Sequence, residues 1–285
     1  MPPANAIFDH HRNNNRASAG GWDAFHEHRE RLTGLLDAEG GADQRLALIG
    51  AGNCNDVDLD RLAPRWQTIH LIDLDSEAVT RGVSRQSAAV QAKLVVHAPI
   101  DVSGVYDDLP RMRARTLPAA ELAALPDRAV TRALAALPDD AGRFDTVVSA
   151  CCLSQIMHSC FLGLGQHAQL DVVAAALARA HLRTLLSFVR PGGRVVLVSD
   201  MVSSETYPVE ELWGTRSGDE LIAEVERAGN FLSGTARTFI RRLCVTDAAV
   251  AALAAGPPTA PPPWLWRLGG DLAFIVYALV LTRRP

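Results

Sequence analysis

The stretch RLALIGAGN, residues 45–53, carries the apolar run Leu46 to Ile49 and then a Gly50-Ala51-Gly52 turn. A short apolar run without alternation reads as a strand buried on both faces. Glycines directly after it allow a tight turn whose backbone N–H groups open a helix. Working outward, the pattern recurs at Thr68–Asp73 (TIHLID), Lys93–His97 (KLVVH), Phe144–Ser149 (FDTVVS) and Arg194–Ser199 (RVVLVS). Helical stretches lie between these runs, clearest at Ser76–Ala89 and Leu170–Val189. Buried strands alternating with helices predict an α/β protein with an open, doubly wound parallel sheet. Near the C-terminus, Trp264–Leu268 and Asp271–Leu281 flank Gly269-Gly270. Ile275, Val276, Tyr277 and Val280 favour strand, so the pair predicts an antiparallel hairpin added to the sheet.

The remaining segments frame this plan. Residues 1–21 are polar, and Trp22, Phe25, Leu32, Leu35 and Leu36 predict a helix over 22–37, stopped by Gly40-Gly41. Residues 1–44 therefore read as an N-terminal helical cover, and residues 45–285 as the α/β domain. Between the third and fourth strands, residues 103–142 read as a helical insertion. Its Leu-Pro pairs, ending at Pro110, Pro118, Pro126 and Pro138, are expected to break it into short pieces. Gly256–Pro263 (GPPTAPPP) reads as a stiff connector.

Composition narrows the class. The 285 residues carry 28 basic and 32 acidic side chains, a net charge of −4, which argues against a dominant basic face for nucleic acid. The longest apolar run near the C-terminus, Leu272–Leu281, is about half of a membrane span, and the N-terminus lacks a signal-peptide core. Five cysteines, with Cys151 and Cys152 adjacent and no CxxC pair, fit a reducing compartment, so a cytoplasmic location is expected.

The glycine turn excludes some ligands. No GK[ST] follows it, which removes a P-loop, and Asn55 stands where the dinucleotide fingerprint has its third glycine. Asp56, Asp58 and Asp60 do not make a calcium loop, because Arg61 and Gln67 occupy the required glycine and glutamate positions. The second strand ends in Asp73, where a carboxylate can accept both hydroxyls of a ribose. Asp75 is placed to cap the next helix. Asp101, after the third strand, reads equally as an adenine-amino acceptor and as a turn-forming aspartate.

Together LALIGAGN (46–53), HLIDLD (70–75), the Asp101 turn, FDTVVSACCLSQ (144–155) and FVRPGGRVVLVSD (188–200) resemble the class I S-adenosylmethionine-dependent methyltransferases. The Pro191-Gly192-Gly193 turn into the fifth strand and the C-terminal hairpin are the most specific points. The resemblance implies a Rossmann-like sheet of seven strands with a reversed last strand, S-adenosyl-L-methionine as cofactor, and an enzyme. It places Gly50, Ala51 and Gly52 against the methionine part, Asp73 with Leu74 at the ribose, Asp101 with Val102 at the adenine, and Ala150-Cys151 around the methyl donor. The family often has an acid two residues before the first glycine, where this chain has Leu48. Asn53 or Asp56 would then receive the cofactor's amino group.

Methyl transfer needs the acceptor held in line, with a base only where the acceptor must lose a proton. His158 is the first choice of base, since histidine titrates near neutrality, and Asp200 faces the same mouth. Gln155, Ser159, Tyr207 and His26 are candidates for contacting the acceptor. Histidines 158, 167 and 181 and the cysteines of 151–160 lack ligand spacing, so no metal is expected. The Asn/Asp-Pro-Pro-aromatic signature of nucleic-acid amino methylation is absent, the matching stretch being Ser149-Ala-Cys-Cys152. The expected acceptor is a hydroxyl or amine of a small molecule, with neither nucleic acid nor membrane as partner. The alternatives are a protein or peptide side chain, or an inactive methyltransferase-fold partner protein.

Overall fold

A computed structural model describes residues 5–37, 40–137, 139 and 142–285. Seven strands form one sheet: β1 Arg45–Ile49, β2 Thr68–Ile72, β3 Leu94–His97, β4 Phe144–Ala150, β5 Val189–Ser203, β6 Trp264–Gly269 and β7 Leu272–Thr282. Their order is β3-β2-β1-β4-β5-β7-β6. The first five are parallel, with Leu46 opposite both Ile69 and Thr146, while β7 runs antiparallel to β5 and β6. The strand order reverses between β1 and β4, so the crevice beyond their carboxyl ends is a switch point where such sheets bind ligands. This is the Rossmann-like, doubly wound arrangement with a C-terminal hairpin that the sequence implies.

Alternate residues of each strand feed opposite faces. Ala47, Ile49, Val147 and Leu197 join a core with helices α7 Ala119–Ala135, α8 Cys152–Leu164 and α9 Leu170–Phe188. Leu46, Leu48, Val148 and Val196 join a second core with α2 His26–Asp37, α3 Leu59–Leu62 and the hairpin tryptophans Trp264 and Trp266. Leu48 is buried in that second core. The position is filled by packing, and no acid could ionise there without a partner.

Several boundaries differ from expectation, each for a local reason. Residues 5–17 of the N-terminal cover form a helix, α1, in a stretch whose composition reads only as polar. The following helix begins at His26 and not at Trp22: the Trp22 carbonyl accepts from Arg29 Nη1 at 2.7 Å, while the guanidinium carbon sits 3.5 Å from the Trp22 ring centroid. That side chain holds residues 22–25 in a turn. The helix expected over 76–89 is two, α4 Ser76–Ser84 and α5 Ala88–Gln91, because Ser87 caps the second through its bond to Val90 N. Two prolines of the 103–142 segment stand at helix starts, Pro110 in the first turn of α6 Leu109–Arg113 and Pro118 just before α7. Pro126, by contrast, is carried inside the 17-residue α7 and does not break it. Its ring is buried with Leu125, Ala129 and Val130 on the face packed toward α9, and that packing offsets the missing hydrogen bond. Pro138 lies outside the described residues. Four further helices, α10 Val209–Leu212, α11 Gly218–Ala228, α12 Arg237–Thr246 and α13 Ala248–Leu253, connect β5 to β6. Among the described residues no helix is long and apolar enough to cross a membrane.

Candidate active site

The carboxyl ends of β1, β2, β4 and β5 open on a cavity of about 1000 Å³. Its floor is the glycine turn. Gly50 and Gly52 have φ of +79° and +46°, a region that L side chains avoid. A Cβ on Gly50 would stand 2.9 Å from the Ala150 carbonyl oxygen, so the turn is pressed against the end of β4. Asp73, at the end of β2, accepts from Gly52 N (2.8 Å) and Asp75 N (2.8 Å), one bond per carboxylate oxygen. Withdrawal from water outweighs those two bonds and raises its pKa to about 6. Each oxygen keeps a lone pair for a further donor. Asp75 caps α4 through Glu77 N and Ala78 N, the role its position predicts.

Helix α1 and the loop after it form the roof. Asn15 bridges them to the floor: its Nδ2 donates to Asp75 Oδ2 (3.1 Å) and its carbonyl accepts from Asn53 Nδ2 (2.6 Å). Asn55 Nδ2 donates to the Ser18 carbonyl (2.8 Å). Further along α1, His11 Nε2 and Ser159 Oγ lie 2.7 Å apart, and the His11 ring stacks on Tyr106. Burial, then the neighbouring His10 and His158, lowers the His11 pKa to about 4, so this tie uses a neutral imidazole.

The far wall carries the acids. The register of β5 against β7 shifts between Asp200 and Val202, and that bulge points the strand's end into the cavity. Burial raises the Asp200 pKa, against hydrogen bonds that include the Ser154 hydroxyl, which reaches its Oδ1. Cys151, the residue before α8, takes φ +48° in the left-handed region, and burial pushes its thiol well above the usual range. It is thus an inert wall, not a nucleophile. Asp56 lines the opposite side, with His28 Nε2 3.2 Å from its Oδ1. Trp264 Nε1 donates to His28 Nδ1 (3.2 Å), while His28 Nε2, despite its approach to Asp56, makes no hydrogen bond among the described residues.

Of the residues singled out from sequence, Gly50, Gly52, Asn53, Asp56, Asp73, Ala150, Cys151, Gln155, His158 and Asp200 line this one cavity. The others do not reach it. Ala51 is buried behind the turn, and Leu74 and Val102 pack against the large core. Asp101 is spent on its own turn, accepting from Ser103 N (2.8 Å), Ser103 Oγ (2.5 Å), Gly104 N (3.2 Å) and Tyr106 N (3.2 Å). Ser159 is fully buried at its bond to His11. Tyr207 donates to Glu224 Oε1 (2.6 Å), and His26 points outward from α2. The histidine that matters on α2 is His28, on the helix's buried face together with Leu32 and Leu36. Asn14, Asn15 and Ser18 of the roof, and Trp266 and Phe274 of the hairpin, also line the cavity without having been singled out. Their polar, tail-like or strand-like contexts hold no signal of a site. Among the described residues no group of three His, Cys, Asp or Glu side chains is arranged to hold a metal ion.

No protein-family model matches the chain, and no curated protein matches it. Solved structures do resemble it. A SAM-dependent methyltransferase from Methanosarcina mazei aligns over 88% of this chain and 97% of its own, at 10% identity and a TM-score of 0.47. An N-methyltransferase, NodS, from Bradyrhizobium japonicum aligns over 92% and 97%, at 15% identity and a TM-score of 0.41. An arsenic(III) S-adenosylmethionine methyltransferase from Chlamydomonas reinhardtii aligns over 86% of this chain and 66% of its own, at 13% identity and a TM-score of 0.43.

Proposed function

We propose that this chain transfers a methyl group from S-adenosyl-L-methionine to a small molecule. The observation that carries the reading is Asp73. Its carboxylate stands at the end of β2, is held by the backbone N–H groups of Gly52 and Asp75, and opens on the cavity beside a glycine turn. Two fixed acceptor oxygens next to a close-approach turn suit the vicinal hydroxyls of a ribose. The cradle fits the cofactor in other respects. Neither Gly50 nor Gly52 carries a side chain over the floor, and Asp56, with His28 behind it, offers a carboxylate to the cofactor's amino group where Leu48 cannot. The amides of Asn53 and Asn55 are tied to the roof, so they hold α1 and its loop over the cradle.

When bound, the cofactor supplies the electrophilic methyl group. The chain's own part is to place an acceptor in line with it and to exclude water, which brings most of the acceleration available to such a displacement. Ala150 and Cys151 wall the donor side. Asp200, steadied by the Ser154 hydroxyl, and His158, half-buried with its ring centroid 4.7 Å from that of His10, are the groups able to hold or take the acceptor's proton. A cavity roofed by α1 supports a compact acceptor over a protein segment. All five cysteines are free and buried, which supports a reducing, cytoplasmic setting.

Calorimetry with S-adenosylhomocysteine tests the reading. The wild-type chain should bind it, and Asp73→Ala should weaken binding about tenfold or more, the loss of two hydrogen bonds to a charged group. Asp73→Asn keeps the shape and serves as the folding control. No binding by the wild-type chain at millimolar ligand would refute the proposal.

A further inference from the structure

The chain has 28 lysine and arginine side chains, yet among the described residues none lines the cavity, whose wall carries the carboxylates of Asp56, Asp73, Asp200 and Glu205. The guanidinium groups that touch lining residues are engaged by protein oxygens, with one buried Nη2 of Arg81 left without a partner among the described residues. Arg29 donates to the carbonyls of Trp22 and Asn55, Arg81 to Asn53 Oδ1, and Arg85 to Asn55 Oδ1 and the Asn53 carbonyl. Asp73 and Asp56 belong to the cofactor side, which leaves Asp200 and Glu205 on the acceptor side. There they stand among Met201, Val202, Phe231, Leu232, Leu268 and Phe274. Trp266, 8% exposed, lines the same cavity, and its indole N–H has no acceptor among the described residues. A wall that is apolar, acidic at one end and free of cations discriminates by charge. An anion entering it would lose its water and gain no cationic side chain in return, while a cation meets two carboxylates.

We infer that the methyl acceptor is an amine carried on a compact apolar or aromatic body, with Asp200 as the group that receives its ammonium and takes its proton. The inference rests on the methyl-transfer reading above and narrows it, excluding acceptors that bear a phosphate or carboxylate. The ammonium yields one proton to Asp200. The freed nitrogen lone pair then forms the N–C bond as the C–S bond of the sulfonium breaks, its electron pair staying on sulfur. The products are a methylated ammonium and S-adenosylhomocysteine, and the proton on Asp200 passes to solvent. Burial, which raises the proton affinity of Asp200, suits it to this exchange. Glu205, exposed at the mouth, draws the cation in.

The test is calorimetry on the full chain saturated with S-adenosylhomocysteine, using two matched trios. One is tryptamine, tryptophol and indole-3-propionate; the other is phenethylamine, 2-phenylethanol and 3-phenylpropionate. In at least one trio the amine should bind about tenfold or more tightly than the alcohol, the range of a charge-assisted hydrogen bond, with no binding by the carboxylate at about 10 mM. Asp200→Asn should abolish the preference for the amine and leave the affinity for S-adenosylhomocysteine unchanged. If the alcohol or carboxylate binds as tightly as its amine, or neither amine binds at about 10 mM, the acceptor assignment is overturned while methyl transfer stands. A chain that fails to bind S-adenosylhomocysteine at all overturns the methyl-transfer reading and this assignment with it.

Discussion

Asp73 concentrates the electrostatics of the cofactor side in one residue. Its pKa of about 6 lies above the usual carboxylate range because burial outweighs two backbone hydrogen bonds. A folded-state pKa above the unfolded one means that the native chain binds this proton more tightly. The stability Asp73 contributes is therefore present at low pH and is lost as pH rises from about 4 through about 6. Ligand hydroxyls that donate to the carboxylate favour its ionised form. Affinity for S-adenosylhomocysteine should accordingly fall about tenfold between pH 7 and pH 5, with binding at pH 5 releasing about one proton to the buffer, and Asp73→Asn should flatten that dependence. Titration calorimetry in buffers of different ionisation enthalpy measures both. Asp101 offers the contrasting case. It ends the equivalent loop one strand away, but four donors from its own turn consume it, and the folded turn is what distinguishes the two aspartates.

Among the elements, α1 is the one whose existence depends wholly on its neighbours. Its sequence, NAIFDHHRNNNRA, is polar and holds little intrinsic drive to be helical. Ile7 and His11 on one side meet Tyr106, Leu109 and Ser159, and Asn15 meets Asp75, so tertiary contacts build the helix. That is why α1 itself was not legible in the sequence, although residues 1–44 read as a cover, while RLALI, TIHLI and the hairpin were: runs buried on both faces declare themselves by composition alone. Pro126 shows the same limit from the other side, since a proline reads as a break unless the packing of its face is known. His11 makes the docking of α1 sensitive to acid. With its pKa lowered to about 4 against an ordinary 6.5, the docked state disfavours protonation, so stability of the roof is lost as pH falls through 6.5 toward 4. The groups facing this imidazole are His10, His158 and Asp75, and the first two add to its reluctance to charge. Hydrogen-exchange protection of α1, corrected for intrinsic rates, should drop about tenfold or more from pH 7 to pH 5. A roof equally protected at both values would contradict the tie.

At the scale of the whole molecule, the two cores meet through the sheet, and β7 is buried from Ile275 to Leu281. Tyr277, fully buried on β7, donates to the Thr235 carbonyl at 2.7 Å and so ties the hairpin to the start of α12. Tyr277→Phe leaves that carbonyl buried without its donor and should cost about 1–3 kcal/mol in urea unfolding, with the affinity for S-adenosylhomocysteine unchanged. A loss well below that range would show that the contact contributes nothing net.

The position of β7 between β5 and β6 also sets an order of events in folding. Residues 272–282 supply an interior strand, and their partners in β5 lie some eighty positions earlier in the chain. Until that late segment arrives, Val195, Val196, Leu197 and Val198 form a long apolar edge with open backbone groups, the kind of template that neighbouring chains pair with. Closing such a distant contact is slow on entropic grounds. The acidic wall completed by the Asp200 bulge is therefore among the last parts of the protein to form, and the interval before it forms is when nascent copies are most exposed to one another.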